Sequence, residues 1–259
     1  MTNRTLGFIG GGRVTRIILE GLNRKHELPE QIVVSDANEA TLAKLRQGFP
    51  QIDTAPTNNA KAAGQDIVFL AVHPPAIGEV AGQIKGSLRG DSLLVSLAPK
   101  FTIAKLSELL GGSQRIVRVI PNAPAIIGAG YNPMAFGSAV TAADKQAVTD
   151  LFSILGDCVE VAESKLEGFA LLTGMGPTYL WFQLQALREL AESFGLTESD
   201  VTPALKRMVC GATRTLLESG LPPAEVMDLI PVKPLNEMEA SVTEMYRIRL
   251  SALFQKIKP

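Results

Sequence analysis

The stretch that decides the fold is Thr5-Leu6-Gly7-Phe8-Ile9-Gly10-Gly11-Gly12-Arg13-Val14-Thr15. An apolar run of strand character enters three consecutive glycines, and a helical pattern starts at once behind them. Gly10 suits a tight turn. Gly12 lets the backbone approach a pyrophosphate at the positive end of the helix. The third small position of such turns, usually Gly or Ala, is Thr15. Asp36 closes the next apolar run 24 residues after Gly12, where an acidic side chain can accept from a ribose hydroxyl. A glycine turn alone says little. In this context it predicts a dinucleotide site.

The identity of the dinucleotide stays open at this level. Asp36 favours NAD, because its charge repels a 2′-phosphate. Ser35 and Asn38 are short polar groups able to meet that phosphate, and Arg13 is either a phosphate contact or a solvated first-turn arginine. The cofactor is therefore read as NADP or NAD.

Working outward, residues 32–35, 66–72, 92–96 and 116–120 repeat the apolar strand pattern of 5–9, and helical patterns occupy 14–23, 40–47, 75–84 and 103–110 between them. Strands apolar throughout, alternating with helices, imply βαβ units and a parallel sheet covered on both faces. Two further short strands are expected near 134–137 and 159–161. Beyond about Glu163 the strand signal stops. Helices are expected over 177–194, from Thr197 to about Gly220 behind a capping box of Thr197 and Asp200, over 223–229 and over 234–257. The fold class is α/β: a Rossmann-type parallel sheet domain, 1–162, followed by an all-helical domain, 163–259.

Composition narrows the function. The chain has 259 residues, 46% hydrophobic, with 25 Lys and Arg against 26 Asp and Glu. That balance gives no basic excess for nucleic acid and too much apolar content for disorder. Two cysteines, Cys158 and Cys210, make no disulfide scaffold. Two histidines, His26 and His73, make a metal site unexpected. The N-terminus shows no secretory pattern, so a cytoplasmic setting is expected. Residues 168–187 carry no charge and match a bilayer in length, but Gly174, Gly176, Pro177, Gln183 and Gln185 interrupt them. Burial in protein is the preferred reading. So apolar a stretch in a small helical domain points to packing against a second copy, with packing on its own sheet domain as the alternative.

Two loops leave the carboxyl ends of strands, where open α/β sheets bind ligands. They are Ala71-Val72-His73-Pro74, and Pro121-Asn122-Ala123-Pro124. Their prolines suit them to shape a nicotinamide pocket. His73 is either a proton-handling group or a capping or solvent-facing histidine.

Together these motifs resemble the pyrroline-5-carboxylate reductase family. The segment 7–15 is similar to the family's GFIGxGNMA opening, and Ala71–Pro74 to its AVKP loop, with histidine for lysine. Residues 120–125 (IPNAPA) are similar to MPNTPA, and 173–179 (TGMGPTY) to SGSGPAY. The resemblance spans essentially the whole chain in order. It implies NAD(P)H-dependent reduction of the C=N bond of 1-pyrroline-5-carboxylate to proline, a step of proline biosynthesis. It also implies a helical domain that interleaves with a partner's in a homodimer, sometimes in rings of dimers. On this basis Gly10, Gly12, Arg13, Val14, Ser35, Asp36, Ala71, Val72, His73, Pro74, Asn122 and Ala123 are expected at the cofactor. Gly174, Met175, Gly176 and Pro177 are expected at the substrate.

The sequence departs from the family in one place. Where the family carries SPGGTT before the last long helix, this chain reads Ile230-Pro231-Val232-Lys233-Pro234-Leu235. Both glycines and both threonines are gone, and Pro234 has no N–H to offer an anion. At roughly 1.5–3 kcal/mol per charged hydrogen bond, that loss weakens carboxylate binding by orders of magnitude. Lys233 is a candidate replacement, as a point charge for a carboxylate or as a proton donor, and Thr178 is a candidate hydroxyl donor. Both also have plain readings, as an exposed loop lysine and as a capping or packing threonine. Two alternatives follow: a dinucleotide-binding protein without catalysis, and a reductase of another substrate, including one served by a deazaflavin. Glycine placement fits the same division. Of 23 glycines, 17 lie in 1–162 and 6 in 163–259, with none after Gly220.

Overall fold

The computed structural model describes residues 4–259. The chain runs β1 (Leu6–Ile9), α1 (Arg13–Asn23), β2 (Ile32–Asp36), α2 (Glu39–Gly48), β3 (Asp53–Pro56), α3 (Asn59–Ala63) and β4 (Ile67–Leu70). It continues with α4 (Ile77–Ile84), β5 (Leu93–Ser96), α5 (Ile103–Leu109), β6 (Ile116–Val119), β7 (Gly130–Phe136), α6 (Ala142–Ser153) and β8 (Gly156–Glu160). The helices α7 (Leu166–Phe169), α8 (Pro177–Ser193), α9 (Glu198–Glu218), α10 (Pro223–Asp228) and α11 (Asn236–Ile257) complete it. The strands form one sheet in the order β3-β2-β1-β4-β5-β6-β7-β8. All neighbours are parallel except β6 and β7.

Alternation along each strand builds two cores. Phe8, Ile67 and Phe69 point to the face covered by Ile18, Leu19 and Leu22 of α1 and by Val148, Leu151 and Phe152 of α6. Ile9, Val68 and Leu70 point to the other face, under Ala62 and Ala63 of α3 and Ile77, Val80 and Ile84 of α4. Strand order therefore reverses between β1 and β4. At that reversal the connections leave on opposite faces and open a crevice beyond the strand ends.

Three differences from expectation have physical causes. The strand β3 is short and carries Asp53 and Pro56, so it has little apolar signal; it survives at the sheet edge, hydrogen-bonded to β2 alone. β7 begins at Gly130, earlier than expected, because its first half, Gly130 to Met134, pairs with β8; only Met134 to Phe136 pair with β6, and Pro133, outside that β6 pairing, breaks the strand signal in the sequence. The uncharged stretch 168–187 is not one helix. It is divided into α7, a π-helical turn at Ala170–Gly174 and α8, which starts at Pro177. Among the described residues no helix is long and apolar enough to cross a membrane.

By contacts the chain forms two compact units. One runs up to Met175 and includes Phe254–Pro259; the other is Gly176–Leu253. The first reaches thirteen residues beyond 162, because Leu166 and Ala170 pack on Ile120 and Ala135, together with Ile257. Within the second unit the box at the head of α9 is formed, Asp200 accepting from the amide of Thr197 at 2.9 Å and from its hydroxyl at 2.6 Å.

Candidate functional site

The turn at Gly10 sits at the reversal point. Gly10 has φ +103°, and a Cβ there would lie 2.5 Å from the carbonyl oxygen of Ala71, at the end of β4. Only glycine lets the two loops approach this closely. At Gly12 a Cβ would meet nothing within 4 Å, so the space before the start of α1 is open. Gly12 is the N-cap with no side-chain cap, and the first turn of α1 carries no acidic residue. Helix starts leave their first amides unpaired, and here nothing local competes with an anion for them. Thr15 does more than fit. Its buried hydroxyl donates to the carbonyl of Gly10 at 2.5 Å, tying the helix back onto the turn.

Two clefts flank this turn. One, of about 510 Å³, is lined by Gly10, Gly12, Ser35, Asp36, Ala71, Val72 and His73, with Asn59, Glu79 and Gln83 among the others. The second, of about 740 Å³, runs along residues of α1 and α2, including Arg13, Arg16 and Lys44, and also touches Gly12 and His73. His73 thus borders both, exposed at the entry to a 3-10 turn, Pro74–Ala76, that its side chain does not cap. Asp36 is held firmly: its carboxylate accepts from the Gly11 amide at 2.7 Å and from the Asn38 amide at 2.7 Å. Ser35 is fully buried, and its hydroxyl is spent on Asn59 at 2.6 Å.

Other expected residues have partners in the frame. Val14, in the first turn of α1, packs partly against the core. Neither Pro74, Asn122 nor Ala123 lines either cleft. The Asn122 side chain instead clamps backbone, accepting from the amide of Tyr131 at 3.0 Å and donating to the carbonyl of Thr173 at 3.2 Å. It thereby joins the loop after β6 to the π-helical turn, where Thr173 donates back to Phe169 at 2.9 Å. Such turns recur at functional sites. Gly174 ends that turn, with Ile120 3.4 Å from where its Cβ would be, and the Met175 amide bonds Ala170 at 2.9 Å. In the second unit, Gly176 and Pro177 open α8, and Thr178 follows in its first turn. Lys233 lies in an exposed loop, 3.5 Å from Asp228.

No motif pointed to Asn59, Glu79 and Gln83, which reach the cleft from α3 and α4, or to Arg118. Arg118 on β6 is fully buried and pairs with Glu167 at 2.6 Å and Glu163 at 3.0 Å. Those carboxylates also accept from the amides of Lys100 (3.1 Å) and Ile103 (2.6 Å). The charge of a lone arginine in an apolar strand was the available signal. Among the described residues no group of three or more His, Cys, Asp or Glu forms a metal site.

The comparisons with known proteins fit this geometry. Residues 5–100 match the family model described as "NADP oxidoreductase coenzyme F420-dependent". A pyrroline-5-carboxylate reductase of Corynebacterium melassecola is 32% identical over 256 residues, covering 97% of this chain and 94% of that protein. The chain belongs to the pyrroline-5-carboxylate reductase family. A solved pyrroline-5-carboxylate reductase from Coxiella burnetii superposes with TM-score 0.70 at 28% identity, over 99% of this chain and 95% of the other. The Plasmodium falciparum pyrroline carboxylate reductase, solved with NADP bound, shares the fold with TM-score 0.75 at 23% identity, over the same shares.

Proposed function

We propose that this protein reduces 1-pyrroline-5-carboxylate to proline at the expense of a reduced nicotinamide dinucleotide. The observation that carries the reading is near full-length identity to a pyrroline-5-carboxylate reductase, together with a glycine turn placed at the sheet's reversal point. The turn fits the cofactor: open space before Gly12, uncapped amides at the start of α1, and Arg13 in place of an acid in the first turn. When bound, the reduced dinucleotide supplies a hydride to the imine carbon, and the nitrogen takes a proton. The chain's own task is to fix the diphosphate at α1, to hold the adenosine ribose at Asp36, and to wall the crevice with Ala71 and Val72. Gly174, Met175, Gly176 and Pro177 are proposed as substrate contacts. Lys233 and Thr178 are proposed as the groups that meet the carboxylate or supply the proton. Family likeness of residues 173–179 supports the first group and Thr178; Lys233 rests on its place in the segment 230–235, where the chain departs from the family.

The assay is oxidation of NADH and of NADPH with pyrroline-5-carboxylate, with proline identified as product. Turnover with either cofactor upholds the reading. Dinucleotide binding without oxidation rejects it in favour of a binding protein that has lost catalysis with its SPGGTT-like segment.

The working form is proposed to be a homodimer built through Gly176–Leu253, with rings of dimers as a larger assembly. Support comes from the many apolar side chains exposed on that unit, among them Trp181, Phe182 and Phe194. The proposed location is the cytoplasm, in keeping with Cys158 and Cys210 as free thiols. A monomeric mass at micromolar concentration would sink the dimer.

A further inference from the structure

We infer that this protein selects NADH against NADPH, and that the specificity-determining element is the Asp36 carboxylate locked between two backbone amides. The inference rests on the dinucleotide site proposed above and deepens it. Each carboxylate oxygen of Asp36 accepts one amide hydrogen, from Gly11 or from Asn38, both at 2.7 Å. Two bonds from two different loops fix the group against rotation. Each oxygen keeps a further lone pair, so what remains is a rigid pair of acceptors without a donor. A vicinal diol satisfies such a pair with its two hydroxyl hydrogens. A phosphate ester at the same place brings only acceptor oxygens and about two negative charges.

The rest of the cleft gives a phosphate no compensation. Ser35 donates to Asn59 (2.6 Å), Asn59 to Gln83 (2.6 Å), and Gln83 to Glu79 (3.1 Å). The polar side chains beside Asp36 thus form a chain that runs into a second carboxylate. Ionisable groups in the lining are Asp36, Glu79 and His73, with no lysine or arginine. The cations of this region, Arg13, Arg16 and Lys44, line the other cleft. Ala37, exposed in the lining next to Asp36, is the position from which a cation would answer a 2′-phosphate.

The lock also makes a prediction that a plain charge argument does not. Removing the carboxylate bares the Gly11 and Asn38 amides together, and a pair of converging N–H groups is a nest for an anion. Asp36→Ser is therefore expected to tighten NADPH as well as to weaken NADH, each by roughly tenfold or more. Ala37→Arg leaves the lock in place and is expected to tighten NADPH by about tenfold with little change for NADH.

The test is equilibrium binding of NADH and NADPH, by calorimetry and by fluorescence of the reduced nicotinamide, on the full chain and both variants. Thermal melts confirm that each variant is folded. The wild-type protein is expected to bind NADH at least about tenfold tighter than NADPH, and the Asp36→Ser ratio to fall or invert. Equal or tighter NADPH binding by the wild type overturns the proposal. So does an Asp36→Ser variant whose two affinities fall in parallel. If Asp36→Ser fails to fold, Ala37→Arg decides: an unchanged ratio there overturns it. Binding is read without turnover, so a protein that selects NADH but never oxidises it with pyrroline-5-carboxylate defeats the enzyme reading and leaves this one standing.

Discussion

The two compact units bury their apolar residues in opposite ways. The unit containing the sheet holds all of the fully buried hydrophobic side chains among the described residues except Val201. The unit Gly176–Leu253 holds all of the large exposed ones except Ile126, Ile127 and Leu172. One has a finished core and a site that needs glycine, tight approach and fixed charge. The other is a set of helices with its hydrophobic payload facing outward. At about 25 cal/mol per Å² of apolar surface, such an exposed face is a strong drive to associate. The difference separates a unit whose apolar surface is already covered from one whose apolar surface is not, and it is this second surface on which the proposed dimer rests.

The largest expected effect comes from attacking that second surface. Phe182 on α8 is 66% exposed. If the unit works alone, Phe182→Glu is a surface change of small consequence. If two copies pack there, it buries an unpaired charge at the contact. Light scattering is then expected to show a monomer, and activity is expected to be lost. Trp181, the single tryptophan, reports the same event: its emission is expected to shift to the red in the variant. An unchanged mass and spectrum would erase the contrast between the units.

The next effect belongs to the finished core. Replacing Arg118 by Met leaves Glu167 buried with its charged partner gone, and breaking a buried pair costs about 3–5 kcal/mol. The denaturant midpoint of the sheet unit is expected to fall accordingly. The double replacement Arg118→Met with Glu167→Gln is expected to recover part of the loss. Failure of the double variant to recover would mean that packing, not charge, holds the strand to α7. Of similar size is Gly10→Ala, at a φ and a spacing that no other residue tolerates, with an expected cost of about 2–5 kcal/mol and loss of dinucleotide binding by calorimetry.

A smaller effect is read by pH. Burial raises the Asp144 carboxyl, but the Thr141 hydroxyl and amide and the Arg115 guanidinium outweigh it and hold the group below its ordinary value. Asp66 behaves likewise, burial being outweighed by Thr5 and Arg89. A carboxyl lowered on folding contributes stability that is present above its unfolded value, about 3.9, and lost as pH falls through the folded one. Both groups lie in the sheet unit; in the other unit Asp200 is also held below its ordinary value, by the Thr197 hydroxyl and amide, but it is fully exposed. The melting temperature of the sheet unit is therefore expected to drop on acidification below about pH 4, with a shallower slope in Asp144→Asn. An unchanged slope would remove Asp144 from the account.

The same contrast explains what could be read in advance. Largely apolar strands alternating with helices showed the sheet unit, and a glycine turn followed by Asp36 at the next strand end marked the turn that the structure places at the sheet's reversal point. Those signals are local, and they carry meaning through their order along the chain. The strand β3 was hidden because an edge strand with Asp53 and Pro56 needs little hydrophobicity. Asn122, expected at the cofactor, holds the backbone of Tyr131 and Thr173, a partnership that no local pattern shows, since an amide side chain serves a turn as readily as a ligand. Asn59, Glu79 and Gln83 come together only through the packing of α3 and α4, and no spacing in the chain encodes that meeting. In the helical unit the sequence shows apolar excess, but a sum of apolar residues does not say what they face.

The smallest expected structural effect carries the sharpest question about the altered segment. Lys233 is exposed, and its contact with Asp228, 3.5 Å away and itself well exposed, is the kind of pair that contributes about 0–1 kcal/mol. Lys233→Ala is therefore expected to leave the melting temperature and NADH affinity unchanged. If Lys233 has taken over the carboxylate from the missing glycines and threonines, KM for pyrroline-5-carboxylate is expected to rise by roughly tenfold or more, the worth of one charged hydrogen bond. Lys233→Arg, which keeps the charge, is expected to restore much of that loss. A KM unmoved by either change would show that the segment 230–235 has left the substrate altogether, and that the helical unit contributes assembly alone.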